Sequence, residues 1–216
     1  MPFPNGPRHD CQACARLAAF RVENRRKLPD GFNAPVPSFG EPDARLAIVG
    51  LAPGLNGANR TGRPFTGDFA GDLLYQTLID FGFAAGVYRA RADDGLKLVD
   101  CAIVNAVRCV PPQNKPTPAE IGECRGYLAS DLKAMGRLKA VVALGRIAHE
   151  SVLKALGQRA LAFPFAHGKE HRIVSGDRAL ALIDSYHCSR YNTNTGVLTT
   201  PMFRAVFEAA RARVRA

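Results

Sequence analysis

Tryptophan is missing from this chain, and only three of its 216 residues are methionine. A planar ligand that needs an aromatic platform therefore meets Phe or Tyr. No stretch approaches the roughly 20 consecutive apolar residues of a membrane-spanning helix. Residues 1–10 lack the apolar centre of a secretory leader, so the expected compartment is the cytoplasm. Disulfides are rare there, which turns the six cysteines towards metal or redox chemistry. Neither the Walker Gly-Lys-Ser/Thr nor a Gly-x-Gly-x-x-Gly pattern is present, which argues against the common nucleotide-binding loops. There is no internal repeat and no low-complexity linker. Acidic residues are few: 19 Asp+Glu stand against 29 Lys+Arg, a net charge of +10. Of those cations 22 are Arg, whose planar fork matches phosphate. A polyanion such as nucleic acid is one partner this implies. A GC-rich genome would explain the Arg count equally well.

What is present is a chain 47% apolar, long enough for one large domain over residues 1–216. The segment 1–43 is polar and rich in Pro and Gly, with a short basic helix expected over Arg16–Lys27. Short apolar runs at Arg45–Leu51, Leu98–Val104, Ala140–Leu144 and Ala179–Asp184 read as buried strands. Between and after them come helical patterns. One is capped by Asp68, with Leu74, Leu78 and Phe81 on one face. A second covers Thr117–Gly136, with Thr117 as cap and Pro118 in its first turn. A third runs to about Leu156, and a fourth covers Thr200–Arg213. Strands alternating with helices predict an α/β fold, a parallel sheet covered on both faces. Ligands of such folds sit beyond the carboxyl ends of the strands. The loops after Leu51, Val104 and Asp184 are therefore the ones to read closely.

Cys11 and Cys14 form a Cys-x2-Cys, and Cys109 and Cys124 have fourteen residues between them. Two pairs of thiols suit a tetrahedral zinc site or the cradle of an iron–sulfur cluster, and spacing does not choose between them. Cys101, inside an apolar strand, reads as a small hydrophobe.

The first loop, Ala52–Gly67, has glycines at 54, 57, 62 and 67, which permit close backbone approach to a ligand, as does Gly50 before it. Asn59, Arg60 and Arg63 add donors. Phe65 is either a core plug or a platform for a planar base. Asp68 is a helix cap, a catalytic carboxylate, or both. In the second loop, Asn105 offers a donor and an acceptor together, the requirement for reading a base edge, and equally suits a turn. In the third, His187 directly follows a strand. Ser189, Arg190, Asn192, Thr193 and Asn194 are residue types that reach phosphate. His149, His167 and His171 look ordinary.

Taken together, these segments resemble the uracil-DNA glycosylase superfamily, and within it the iron–sulfur family 5, or B-type, branch. Gly50-Leu-Ala-Pro-Gly54 with Gly57-Ala-Asn-Arg-Thr-Gly-Arg-Pro-Phe-Thr-Gly-Asp68 carries most of the likeness. Asn105-Ala-Val-Arg-Cys109 through Pro118 resembles a stretch shared with family 4. His187-Cys-Ser-Arg-Tyr-Asn192 resembles the His-Pro-Ser loop. The likeness spans about Cys11 to Phe203. It implies a three-layer α/β/α sandwich around a four-stranded parallel sheet. It also implies a [4Fe–4S] cluster on Cys11, Cys14, Cys109 and Cys124 that ties down the segment 1–43, with zinc as the lesser alternative.

By the same resemblance Phe65 stacks on the base, with Ala52, Gly54 and Asn105 also around it. Asn105, Asp68 and His187 serve the chemistry. Asn59, Arg60, Arg63, Ser189, Arg190 and Asn192 contact DNA. The implied activity is removal of uracil, with hypoxanthine and xanthine as further candidates, from damaged DNA. The implied protein is a monomeric hydrolase of base excision repair, located at the nucleoid. The alternative is a non-catalytic DNA-binding protein with a structural metal site. There are two departures from the family 5 pattern. Leu55-Asn56 replaces Ala-His, which would bear on base preference, and Cys188 replaces Pro, which would loosen the loop carrying His187.

Overall fold

The computed structural model describes residues 3–215. Its helices are α1 (Ala15–Lys27), α2 (Ala58–Thr61), α3 (Phe69–Asp80), α4 (Pro118–Ala134), α5 (Arg146–Ala155), α6 (Arg190–Asn194) and α7 (Thr200–Arg215). Its strands are β1 (Phe39–Gly40), β2 (Leu46–Gly50), β3 (Ala84–Ala85), β4 (Lys97–Leu98), β5 (Cys101–Asn105), β6 (Ala140–Leu144), β7 (Glu170–Ser175) and β8 (Arg178–Ser185).

The sheet runs β1-β5-β2-β6-β8-β7. Its four middle strands are parallel, with Gly50 opposite Asn105 and Val142 opposite Ile183. These are the four strands expected from the apolar runs. The expected sheet of four is nevertheless enlarged to six, because antiparallel β1 and β7 flank it. β7 alternates exposed and buried residues, as an edge strand with one solvated face does. It turns into β8 through Gly176, which takes the positive φ (61°) of a tight hairpin.

The strands alternate between two cores. Leu46, Ile48, Ile103, Val142 and Ile183 pack with Leu74 and Leu78 of α3 and Phe203 and Phe207 of α7. Ala47, Val49, Val104, Val141 and Leu182 pack with Leu128 and Leu132 of α4 and Val152 and Leu153 of α5. Helices therefore cover both faces, giving the three-layer α/β/α arrangement. Truncating one of these fully buried leucines to Ala would cost about 2–5 kcal/mol.

Two caps fix the helices that frame the site. Asp68 accepts from the Gly71 amide at the start of α3. Thr117 and Glu120 form a reciprocal capping box at the start of α4. Among the described residues no helix is long and apolar enough to cross a membrane.

Candidate active site

The carboxyl ends of β2, β5 and β8 open onto a cavity of about 380 Å³. It gathers Ala52, Gly54, Phe65 and Asp68 from the first loop, Asn105 from the second, and His187, Ser189 and Arg190 from the third. Phe69 and Asn114 also line it, and the sequence did not single them out. Asn114 follows Cys109 by five positions and has a left-handed backbone (φ 56°), a conformation Asn tolerates.

Asp68 has a split environment. Its Oδ1 accepts from the Gly71 amide at 3.2 Å, and its Oδ2 faces Gly54 and Gly57. A Cβ on Gly57 would lie 2.3 Å from that Oδ2. Burial pushes the carboxyl above its ordinary value, against the Gly71 and Ala70 amides, which favour the ionised form.

Gly50 plays the same part for two other side chains. A Cβ there would stand 2.6 Å from Asn105 Oδ1 and 2.7 Å from Phe65 Cζ. The glycines were read as room for a ligand; at positions 50 and 57 that room is filled by the chain's own side chains. Phe65 is both plug and wall, since its ring belongs to one core and borders the cavity. Its ring stacks on His187, with centroids 5.9 Å apart and planes at 29°. Asn105 is buried, and its Oδ1 has no partner among the described residues. A buried amide oxygen left without a donor carries a desolvation cost that a ligand N–H would relieve.

His187 is desolvated, which pushes its imidazole below the ordinary value and favours the neutral ring. Its carbonyl accepts from Asn192 Nδ2 at 2.8 Å. Ser189 caps α6 through the Asn192 amide. Cys188 was expected to loosen this loop. Instead it is fully buried, and its S–H donates to the Ala70 carbonyl at 3.5 Å, joining the His187 loop to the start of α3. Leu55 and Asn56, the other departure, do not border the cavity.

The expected phosphate contacts divide. Arg60 and Arg190 are exposed, Arg190 lying over the Phe69 ring at 5.2 Å. Asn59 and Arg63 are corrections. Asn59 is buried and donates to Asn33 Oδ1 at 2.9 Å. Arg63 is buried in a bidentate pair with Asp94, both contacts at 2.7 Å. Neither faces solvent, so neither is available to DNA. Asn192 spends its amide on His187.

Cys11, Cys14, Cys109 and Cys124 line a second, smaller cavity. Leu17 packs with Cys109 and Cys124, and Arg21 donates to Cys109 Sγ at 3.4 Å and to the Cys11 carbonyl at 2.5 Å. The Nε of this buried Arg21 has no partner among the described residues. Four thiols facing one space beside a buried cation suit an anionic metal–thiolate group.

The histidines read as ordinary are not all so. His149 Nδ1 meets Asp184 Oδ1 at 2.6 Å, and His171 Nε2 meets Asp184 Oδ2 at 3.1 Å. His149 Nε2 donates to the Phe163 carbonyl at 2.8 Å. This buried cluster holds α5, β7 and the 160s loop to the root of the His187 loop. Ligands of one ion at bond lengths of about 2.0–2.2 Å stand further apart than 2.6 Å in a tetrahedral site, so the contact is a hydrogen bond.

The profile of the uracil DNA glycosylase superfamily matches residues 37–211. A Type-5 uracil-DNA glycosylase of Thermus thermophilus is 44% identical over 206 residues, covering 93% of this chain and 92% of that protein. A Type-5 uracil-DNA glycosylase of Pyrobaculum aerophilum is 38% identical, covering 94% and 88%. A Type-4 uracil-DNA glycosylase of Archaeoglobus fulgidus is 30% identical, covering 81% and 77%. With its fold, its three converging loops and these likenesses, the chain belongs to the uracil-DNA glycosylase superfamily.

Proposed function

We propose that this protein excises uracil from DNA by hydrolysing the N-glycosidic bond, as a monomer acting at the nucleoid. The observation that carries the reading is the meeting of Asp68, Asn105 and His187 around Phe65 in one cavity. A base inside a duplex is out of reach, so the nucleotide must be extruded into that cavity. Phe65 supplies the face on which the base stacks, with Ala52 and Gly54 beside it. Asn105 offers its unpaired oxygen to a base N–H. Arg60, Ser189 and Arg190 stand at positions suited to backbone phosphates.

The bond from C1′ to the base nitrogen breaks with its electron pair going to the base, leaving an oxocarbenium-like sugar. Water then adds to C1′ and gives up a proton. Asp68, ionised, holds that water and offsets the positive charge on the sugar. His187, neutral, donates a hydrogen bond to the base as it becomes anionic. Among the described residues one carboxylate, that of Asp68, lines the cavity, so a two-carboxylate mechanism is not invoked.

Cys11, Cys14, Cys109 and Cys124 would hold a [4Fe–4S] cluster. The buried Arg21 guanidinium beside the four thiols suits the negative charge of such a group. Its role would be to fasten the N-terminal segment to the loop after β5. A brown protein with about four irons per chain is expected; colourless protein with one zinc would reject it.

The test of the activity is release of free uracil from a uracil-containing duplex, leaving an abasic site. Binding without release would instead make this a non-catalytic DNA-binding protein.

A further inference from the structure

Phe65 has a backbone φ of 53°, a left-handed conformation that a bulky side chain rarely adopts. Such a conformation persists only where its surroundings over-determine it. Here they do, one peptide at a time. The Tyr75 hydroxyl donates to the Pro64 carbonyl at 2.7 Å. The Tyr88 hydroxyl donates to the Phe65 carbonyl at 3.2 Å and accepts from the Gly67 amide at 3.4 Å. The Thr61 hydroxyl lies 3.0 Å from the Thr66 carbonyl. α3 passes so close that a Cβ on Gly71 would stand 1.9 Å from the Phe65 carbonyl oxygen.

Arg63 ties these groups together. Its Nε donates to Thr66 Oγ1 at 2.7 Å, and its two terminal nitrogens grip Asp94. Its guanidinium lies 5.3 Å from the rings of Phe39 and Tyr75 and 5.8 Å from that of Tyr88. The paired side chains are shielded from water, that of Asp94 completely, although its backbone is partly exposed. Asp94 belongs to the connection between β3 and β4, and two further amides, of Arg89 and Leu96, point at its carboxylate. None of Arg63, Tyr75, Tyr88 or Asp94 borders the cavity.

We infer that Arg63, Tyr88 and Asp94 are positioning residues for base recognition. The β3–β4 connection acts as a brace that keeps Phe65 in its left-handed backbone, so that its ring presents a fixed face to an extruded base. The inference rests on the stacking role given to Phe65 above. It assigns Arg63 to the aromatic wall rather than to DNA. It also gives the β3–β4 connection a part in the reaction without contact with substrate.

Tyr88→Phe is the cleanest probe, because it removes one hydroxyl and leaves the ring stacked on Tyr75 at 4.5 Å. Single-turnover uracil release is measured for wild type, Tyr88→Phe, Phe65→Ala and the double variant, with melting temperature followed in each. Tyr88→Phe is expected to slow release about fivefold, the effect of losing its hydrogen bond to the Phe65 carbonyl, the shorter of its two. In the Phe65→Ala background it is expected to add nothing, because the brace acts only through that ring. If Phe65→Ala leaves release unchanged, the stacking role fails and takes the brace with it. If Phe65→Ala slows release but Tyr88→Phe is silent in wild type, or equally costly in both backgrounds, the brace alone is overturned. Asp94→Asn, which leaves the buried Arg63 unneutralised, is expected to show the same dependence on Phe65 with a larger loss.

Discussion

The imidazole of His187 stacks on the ring of Phe65, 5.9 Å away and tilted by 29°. One ring comes from the first loop and the other from the third, so the contact closes a wall of the cavity and fixes the imidazole against a rigid neighbour. His187→Ala is expected to slow uracil release by about 10²–10³-fold, the usual loss on removing one preorganised donor. The loss should shrink for 5-fluorouracil, whose anion needs less stabilisation. An equal loss for both bases, in single-turnover assays, would remove the leaving-group role.

Asp68 caps α3 with one oxygen and faces the cavity with the rest of its carboxyl. Asn is an equally good cap. Asp68→Asn should therefore leave the melting temperature nearly unchanged and lower the single-turnover rate about 10²–10³-fold. Activity within a few-fold of wild type would leave the residue as a cap only.

Burial raises the Asp68 carboxyl above 3.8 and lowers the His187 imidazole below 6.5. The proposed mechanism needs Asp68 ionised and His187 neutral. The acid limb of kcat/KM should accordingly lie above the ordinary carboxylate range, because burial raises Asp68 and its protonation removes the active form. Stability moves in opposite senses. The His187 contribution is complete above pH 6.5 and is lost as pH falls towards its folded value. The cost of ionising buried Asp68 appears as pH rises from 3.8 and is complete above its folded value. A pH–rate profile with parallel melting curves checks both.

Gly57→Ala should displace the Asp68 carboxyl, since the added carbon would meet Oδ2 at 2.3 Å. Gly54→Ala, at 3.2 Å, should act more mildly. We expect at least a tenfold loss of rate for the first and a smaller one for the second, read in the same assay. Equal effects would show that the carboxyl swings aside freely.

Much of the fold was legible because its central strands are short apolar runs closed by Gly, Asp or Asn, and because Asp68 and Thr117 announce their helices. β7 was missed because its half-buried alternation, with His171 and Ile173 inward and Arg172 outward, lacks a continuous apolar run. The loops that form the cavity were read from their unusual residues. The inward commitment of Asn59 and Arg63 was not, because residue type announces a donor but not its partner. Asp94 is 31 positions from Arg63, and nothing local marks the pair. The His149–Asp184–His171 cluster was hidden for the same reason, with members on a helix and two strands.

Arg16 and Glu120 form a two-pronged ion pair, at 2.8 and 2.7 Å, that bridges α1 to the first turn of α4. Glu120 lies four residues before Cys124, and Arg16 two residues after Cys14. Together with Leu17 and Arg21, this bridge holds the two cysteine pairs facing one another by ordinary protein contacts. Changes at Arg16 or Glu120 would therefore reach the proposed metal site without touching any of its thiols.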